Sequence, residues 1–79
     1  MRRDIAVYLV TWDKPGTRAA PGRFYREMKR DLGDEVRFIQ RSVYGAKTIE
    51  AARRLAESAR RYGLKVVIFR ATEIPTSDP

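Results

Sequence analysis

Ile5 to Asp13, IAVYLVTWD, is the stretch from which the rest of the chain can be laid out. The run from Ile5 to Trp12 carries no charge and is mostly β-branched or aromatic. That suits a strand in the middle of a sheet, because an edge strand normally carries charges that deter further pairing. The run stops on one carboxylate, Asp13, just before the breaker Lys14-Pro15-Gly16. A carboxylate there either caps a turn or belongs to a site.

The segment that follows, Lys14 to Gly22 (KPGTRAAPG), holds two Pro-Gly pairs and reads as a loop. It has neither the Gly-Lys-Ser/Thr ending of a P-loop nor the GxGxxG spacing of a dinucleotide site. Its cations, Lys14 and Arg18, and Arg23 just beyond, are its notable feature. From Arg23 to Leu32, Phe24, Met28 and Leu32 recur at helical spacing with Tyr25 alongside, and Gly33 stops the helix. Arg23, Arg26 and Arg30 form a second stripe with Lys29 beside it, which reads first as a solvated face and second as a binding stripe.

Val36 to Gly45 (VRFIQRSVYG) alternates as an extended segment. It is long for one strand, and a bend near Arg41-Ser42 would divide it into a hairpin, although no Asn-Gly or Asp-Gly marks a turn. Thr48 is a plausible N-cap for a second helix with an apolar face of Ile49, Ala52, Leu55, Ala56, Ala59 and Tyr62, ended by Gly63. On this helix Glu50 and Arg54, Glu57 and Arg61, and Arg53 and Glu57 stand at the i,i+4 spacing of ion pairs. Leu64 to Arg70 (LKVVIFR) is another nearly continuous apolar run, suited to a sheet interior.

The order strand, helix, strand, strand, helix, strand predicts an α+β ferredoxin-like sandwich, with two helices on one face of an antiparallel sheet and the first strand between the third and fourth. The domain is expected over residues 1–72, with 73–79 a flexible tail too poor in apolar residues to order itself. The other face of such a sheet is left for solvent, a ligand or a second subunit.

A chain of 79 residues buries only about 60–65% of the surface its unfolded form exposes. With no cysteine to staple it, a homodimer is expected. The formal charge is +7, and Arg outnumbers Lys 13 to 4, a bias that favours phosphate because guanidinium matches its oxygens as a planar fork. DNA or RNA is therefore the expected partner. A charged surface that only stabilises would lie closer to neutral. Met1-Arg2-Arg3 and the apolar residues after it superficially resemble a signal peptide, but the run is short and lacks a small-residue cleavage site. No stretch is long enough to span a membrane, and a cytoplasmic location is expected.

Two motifs in order, Thr11-Trp12-Asp13 closing the first strand and Ile39-Gln40-Arg41-Ser42-Val43-Tyr44 after the basic helix, resemble the CRISPR-associated protein 2 family and the related virulence-associated protein D toxins. The resemblance covers about Ile5 to Phe69. It implies a ferredoxin-like homodimer with two copies of Asp13 near the two-fold axis, associated in the family with a divalent cation, Mg²⁺ here. Some members are linked to metal-dependent phosphodiester cleavage, whereas others bridge duplex DNA beside a partner integrase. Arginines beyond the aspartate contact phosphate in the family, which points to Arg18 or Arg23. The chain departs from the family in its Lys-Pro-Gly loop without a second acid, its short region after Phe69, and Gly45-Ala46-Lys47, which would tighten the hairpin.

There is no His and no Cys, so hydrolysis would need a metal to supply hydroxide and neutralise the phosphate. Mg²⁺ accepts one or two carboxylates with waters and substrate oxygens, so an Asp13 pair suffices and a single Asp13 does not. Asp4, Asp31, Asp34, Glu35, Glu50, Glu57, Glu73 and Asp78 read as helix-end, loop or ion-pair residues. Trp12 and Phe38 are either base-stacking platforms or core and interface aromatics. The expected function is a nucleic-acid-binding homodimer with a metal-dependent endonuclease centred on Asp13 and with Lys14, Arg18, Arg23, Arg26 and Arg41 on phosphate. The alternatives are a non-catalytic DNA bridge, a toxin-like ribonuclease, or a dimeric regulatory domain with no nucleic-acid role.

Overall fold

A computed structural model describes residues 5–13 and 20–74. The elements run β1 (Ile5–Asp13), α1 (Gly22–Leu32), a short 3₁₀ turn (Gly33–Glu35), β2 (Val36–Gln40), β3 (Val43–Ala46), α2 (Ile49–Arg61) and β4 (Lys65–Glu73). The four strands form one sheet in the order β2-β3-β1-β4, with every pairing antiparallel. This is the ferredoxin-like arrangement, and the uncharged IAVYLVTW run takes the interior position expected of it. No helix among the described residues is long and apolar enough to cross a membrane.

Alternation along β1 divides the sheet into two different faces. Val10 and Trp12 are buried beneath the helices, with Tyr8 packed against the same core. Phe24, Met28 and Leu32 of α1 and Ala51, Ala52, Leu55 and Ala59 of α2 complete that core. Phe24, Leu55 and Val10 are fully enclosed, and each such side chain contributes about 1.5–3 kcal/mol of burial. The alanines let the backbone of α2 lie close to the sheet.

The Thr48 side chain accepts the Ala51 N–H at 3.1 Å and so caps α2. Gly33 and Gly63, at φ 47 and 78, end the two helices in the left-handed region. The long extended segment does break at Arg41-Ser42, where Ser42 takes φ 64 and a bulge shifts the register between Phe38 and Gln40.

Three details differ from the sequence reading. Arg61 pairs with Glu27 of α1 at 3.0 Å and Arg54 reaches Glu35 at 4.0 Å, so these cations bridge the helices instead of pairing within α2. The β4 run lies at the sheet edge and not in its interior. Its Val67 and Phe69 are each 52% exposed on the face away from the helices, so the apolar run reflects an open face. Gly45 lies within β3, three residues past the hairpin turn it was expected to tighten. There it makes room for Ile39, because a Cβ on Gly45 would stand 3.0 Å from Ile39 Cδ1.

Candidate nucleic-acid interface

Asp13 ends β1 on the open face and is exposed. Several elements converge on that end of the sheet. Lys65, the first residue of β4, stands directly opposite Asp13. The Trp12 N–H donates to the Ser42 carbonyl at 3.2 Å, which holds the Arg41-Ser42 turn beside the same strand end. α1 starts there as well, because the Phe24 ring meets the Trp12 indole edge-on with centroids 5.1 Å apart. Arg23, Arg26 and Arg41 are therefore brought from two separate segments to the Asp13 end, all three exposed. The Arg26 guanidinium folds back on the helix start, 3.4 Å from where a Cβ on Gly22 would stand. Lys14 and Arg18 lie outside the described residues.

The charge arrangement separates two groups of cations. Arg61 and the Tyr62 hydroxyl both donate to the Glu27 carboxylate, at 3.0 and 3.1 Å. Arg30 pairs with the neighbouring Asp31 at 2.8 Å, and Arg54 donates to the Asp31 carbonyl at 3.3 Å. The Arg61 and Tyr62 bonds hold the Glu27 carboxyl below the usual glutamate range, and Arg30 does the same for Asp31. Glu27, which the sequence patterns did not single out, is thus the hub between the helices; its spacing one residue before Met28 gave no hint of a partner on α2. Arg23, Arg26, Arg41 and Lys65 make no ion pair among the described residues, which leaves them open to an anion from outside.

Among the described residues Asp13 belongs to no cluster of metal-ligating side chains. The described residues hold no group of three His, Cys, Asp or Glu side chains, and the nearest cross-strand neighbour of Asp13 is the cation Lys65. The described residues of one chain therefore do not by themselves assemble a divalent-ion site at this position.

The aromatic residues fall into two classes. Trp12 is 5% exposed and is surrounded by Phe24, Tyr25 and Tyr44, with the Tyr44 ring stacked on it at 5.3 Å and 29°. It is a core residue, and its indole N–H and the Ser58 hydroxyl are buried without a partner among the described residues. Phe38 is 63% exposed at the β2 edge and meets the rim of this cluster at Tyr44. Burial keeps the Tyr44 phenol above its usual pKa and so neutral, and Tyr25 adds to the shift.

The open sheet face is the other exposed apolar feature. Leu9 of β1, Val43 of β3 and Val67 and Phe69 of β4 share it by register, and Ile39 at the β2 bulge joins them with its Cδ1 beside Gly45. Compared with known protein families, curated proteins and solved structures, the chain finds no match.

Proposed function

We propose that this chain is a nucleic-acid-binding protein that works as a homodimer, a divergent relative of the CRISPR-associated protein 2 family. The observation that carries the reading is the gathering of Arg23, Arg26 and Arg41, exposed and without ion pairs among the described residues, at the end of the sheet where Asp13 stands. A guanidinium with no carboxylate to satisfy it is ready for bidentate contact with phosphate oxygens. The cations at this end sit on a helix start and a hairpin turn, positions that contact a backbone without reading bases.

Dimerisation is supported by the open sheet face. Its exposed Val67 and Phe69 lie on a strand edge where solvent contact is costly, and a second copy would cover them. A two-fold axis running along β1 would place both Asp13 side chains at one end of the pair, in layers about 10 Å apart. Two carboxylates facing each other there would be the minimum protein contribution to Mg²⁺, with water and phosphate oxygens completing the shell. The endonuclease reading thus depends on the dimer. Without the metal the same assembly is a DNA bridge, to which an integrase subunit would bring the chemistry.

The test is a cleavage gel with wild type and Asp13→Ala, labelled duplex DNA and single-stranded RNA, in Mg²⁺ and in chelator. Magnesium-dependent products lost in Asp13→Ala, with binding retained, support the nuclease. Intact substrates under conditions where both proteins bind leave the architectural dimer. Absence of binding by wild type at low salt overturns the nucleic-acid reading itself.

A further inference from the structure

The helix side of the sheet, opposite the face that carries Asp13, has a second recognition feature, which shares Arg41 with the first. β2 is an edge strand, and the helices leave its helix-facing side uncovered: Phe38 is 63% exposed and Val36 only partly buried. The Phe38 ring is held edge-on against Tyr44, centroids 5.7 Å apart at 82°. Tyr44 in turn stacks on the buried Trp12. An exposed aromatic ring braced by a stack of core rings keeps its orientation without burying its own faces.

Beside Tyr44 runs a groove of about 270 Å³, lined by Tyr25, Met28 and Lys29 of α1 with Gly33, Val36 and Tyr44. Its size falls near the lower end of small-ligand pockets, about 300–1,000 Å³, which suits one heterocycle. Two aromatic rings and a thioether make its walls, and the one charged lining residue is a cation. Further exposed cations bracket the β2-β3 hairpin. Arg41 sits in its turn and Lys47 at its open end, where the Lys47 N–H bonds to the Glu35 carbonyl at 2.9 Å.

We infer that the Phe38–Tyr44 edge and the adjoining Tyr25–Lys29 groove bind an unpaired nucleobase of a single-stranded segment, stacking the base on aromatic rings while Lys29, Arg41 and Lys47 hold its flanking phosphates. The inference rests on the nucleic-acid reading above and adds to it a preference for unpaired strands. The exposed Asp34 and Glu35 lie between Gly33 and Val36 of the lining, with Glu35 turned to Arg54 at 4.0 Å; the three cations outnumber them, and charge therefore favours a nucleotide, which brings a π-face and a phosphate together, over an apolar peptide. DNA and RNA share that chemistry, and nothing in the groove selects between them.

The experiment compares blunt duplex, single-stranded DNA and single-stranded RNA of equal length, carrying 2-aminopurine at one position, with wild type, Phe38→Ala and Phe38→Trp. Base fluorescence reports stacking, and anisotropy reports affinity. Phe38 is mostly in solvent, so Phe38→Ala should melt at the wild-type temperature. The expected result is 2-aminopurine quenching by wild type on single strands, with roughly tenfold weaker single-strand binding by Phe38→Ala, recovery in Phe38→Trp, and unchanged duplex affinity in all three. Duplex binding by wild type with no quenching of single strands overturns this inference and leaves the general reading in place. Equal single-strand affinity of wild type and Phe38→Ala overturns it as well. Absence of binding to any substrate overturns both.

Discussion

Ser42 holds a left-handed backbone, at φ 64. The turn needs that conformation because two residues, Arg41 and Ser42, must reverse the chain while the Ser42 carbonyl accepts from Trp12. For an L-residue the left-handed region costs about 1–2 kcal/mol, part of which glycine returns as greater freedom in the unfolded chain. Ser42→Gly is therefore expected to stabilise the fold by roughly 0.5–1 kcal/mol, seen as a higher melting temperature; a lower one would mean that the hydroxyl itself is used. Glu27 gives a prediction with pH. Arg61 and Tyr62 hold its carboxyl below the ordinary glutamate value, so the folded chain binds that proton less readily than the unfolded chain. The resulting stability is present above the unfolded value of about 4.3 and is lost as pH falls through the lower folded value. Thermal melts across this range should show an acid-side fall that is smaller in Glu27→Gln, with Asp31, whose carboxyl is also held low by Arg30, contributing to the part that remains. An unchanged fall would contradict the role given to Glu27.

At the scale of elements, α2 shows which parts of the chain announce themselves. Thr48 caps it through the Ala51 N–H, so Thr48→Ala should lower stability by about 1 kcal/mol, measured by urea unfolding; no change would mean that the cap is replaced by water. Apolar spacing, the cap and Gly63 made this helix legible because each acts within a few residues of itself. The hairpin was legible for a different reason, as ten extended residues exceed the usual strand. What stayed hidden depends on contacts between elements. Arg54 and Arg61 have acidic residues at i±4 on their own helix, and only packing shows that Glu27, Asp31 and Glu35 of the neighbouring segment offer better geometry. The β4 run looks alike in sequence whether a neighbouring strand or an unpartnered face accounts for it. Phe38 and Trp12 likewise share an aromatic alphabet, and only burial separates the exposed ring from the core indole. Asp13, Arg23, Arg26 and Arg41 were individually visible, but their convergence depends on the hairpin turn and the start of α1 reaching one end of β1.

For the whole molecule, the proposed function requires that a second copy cover the open sheet face and that the exposed arginines meet phosphate. The open face has two nine-residue strands and two short ones, on the order of 500 Å² in projection from standard strand spacings. Standard interfaces bury about 800 Å² per partner, so the dimer is expected to dissociate on dilution. Phe69→Lys, at a side chain half in solvent in one copy, should leave the fold intact and shift sedimentation to the monomer. A wild type that is monomeric at every concentration would contradict the dimer. The central claim, that exposed arginines hold a nucleic-acid backbone, is tested most directly by the affinity for a labelled duplex as salt is raised. With Arg23, Arg26 and Arg41 of both copies on phosphate, a plot of log affinity against log salt should fall with a slope of about −5, and Arg23→Ala with Arg41→Ala should make it shallower. A slope near zero, or no binding at low salt, would contradict the account.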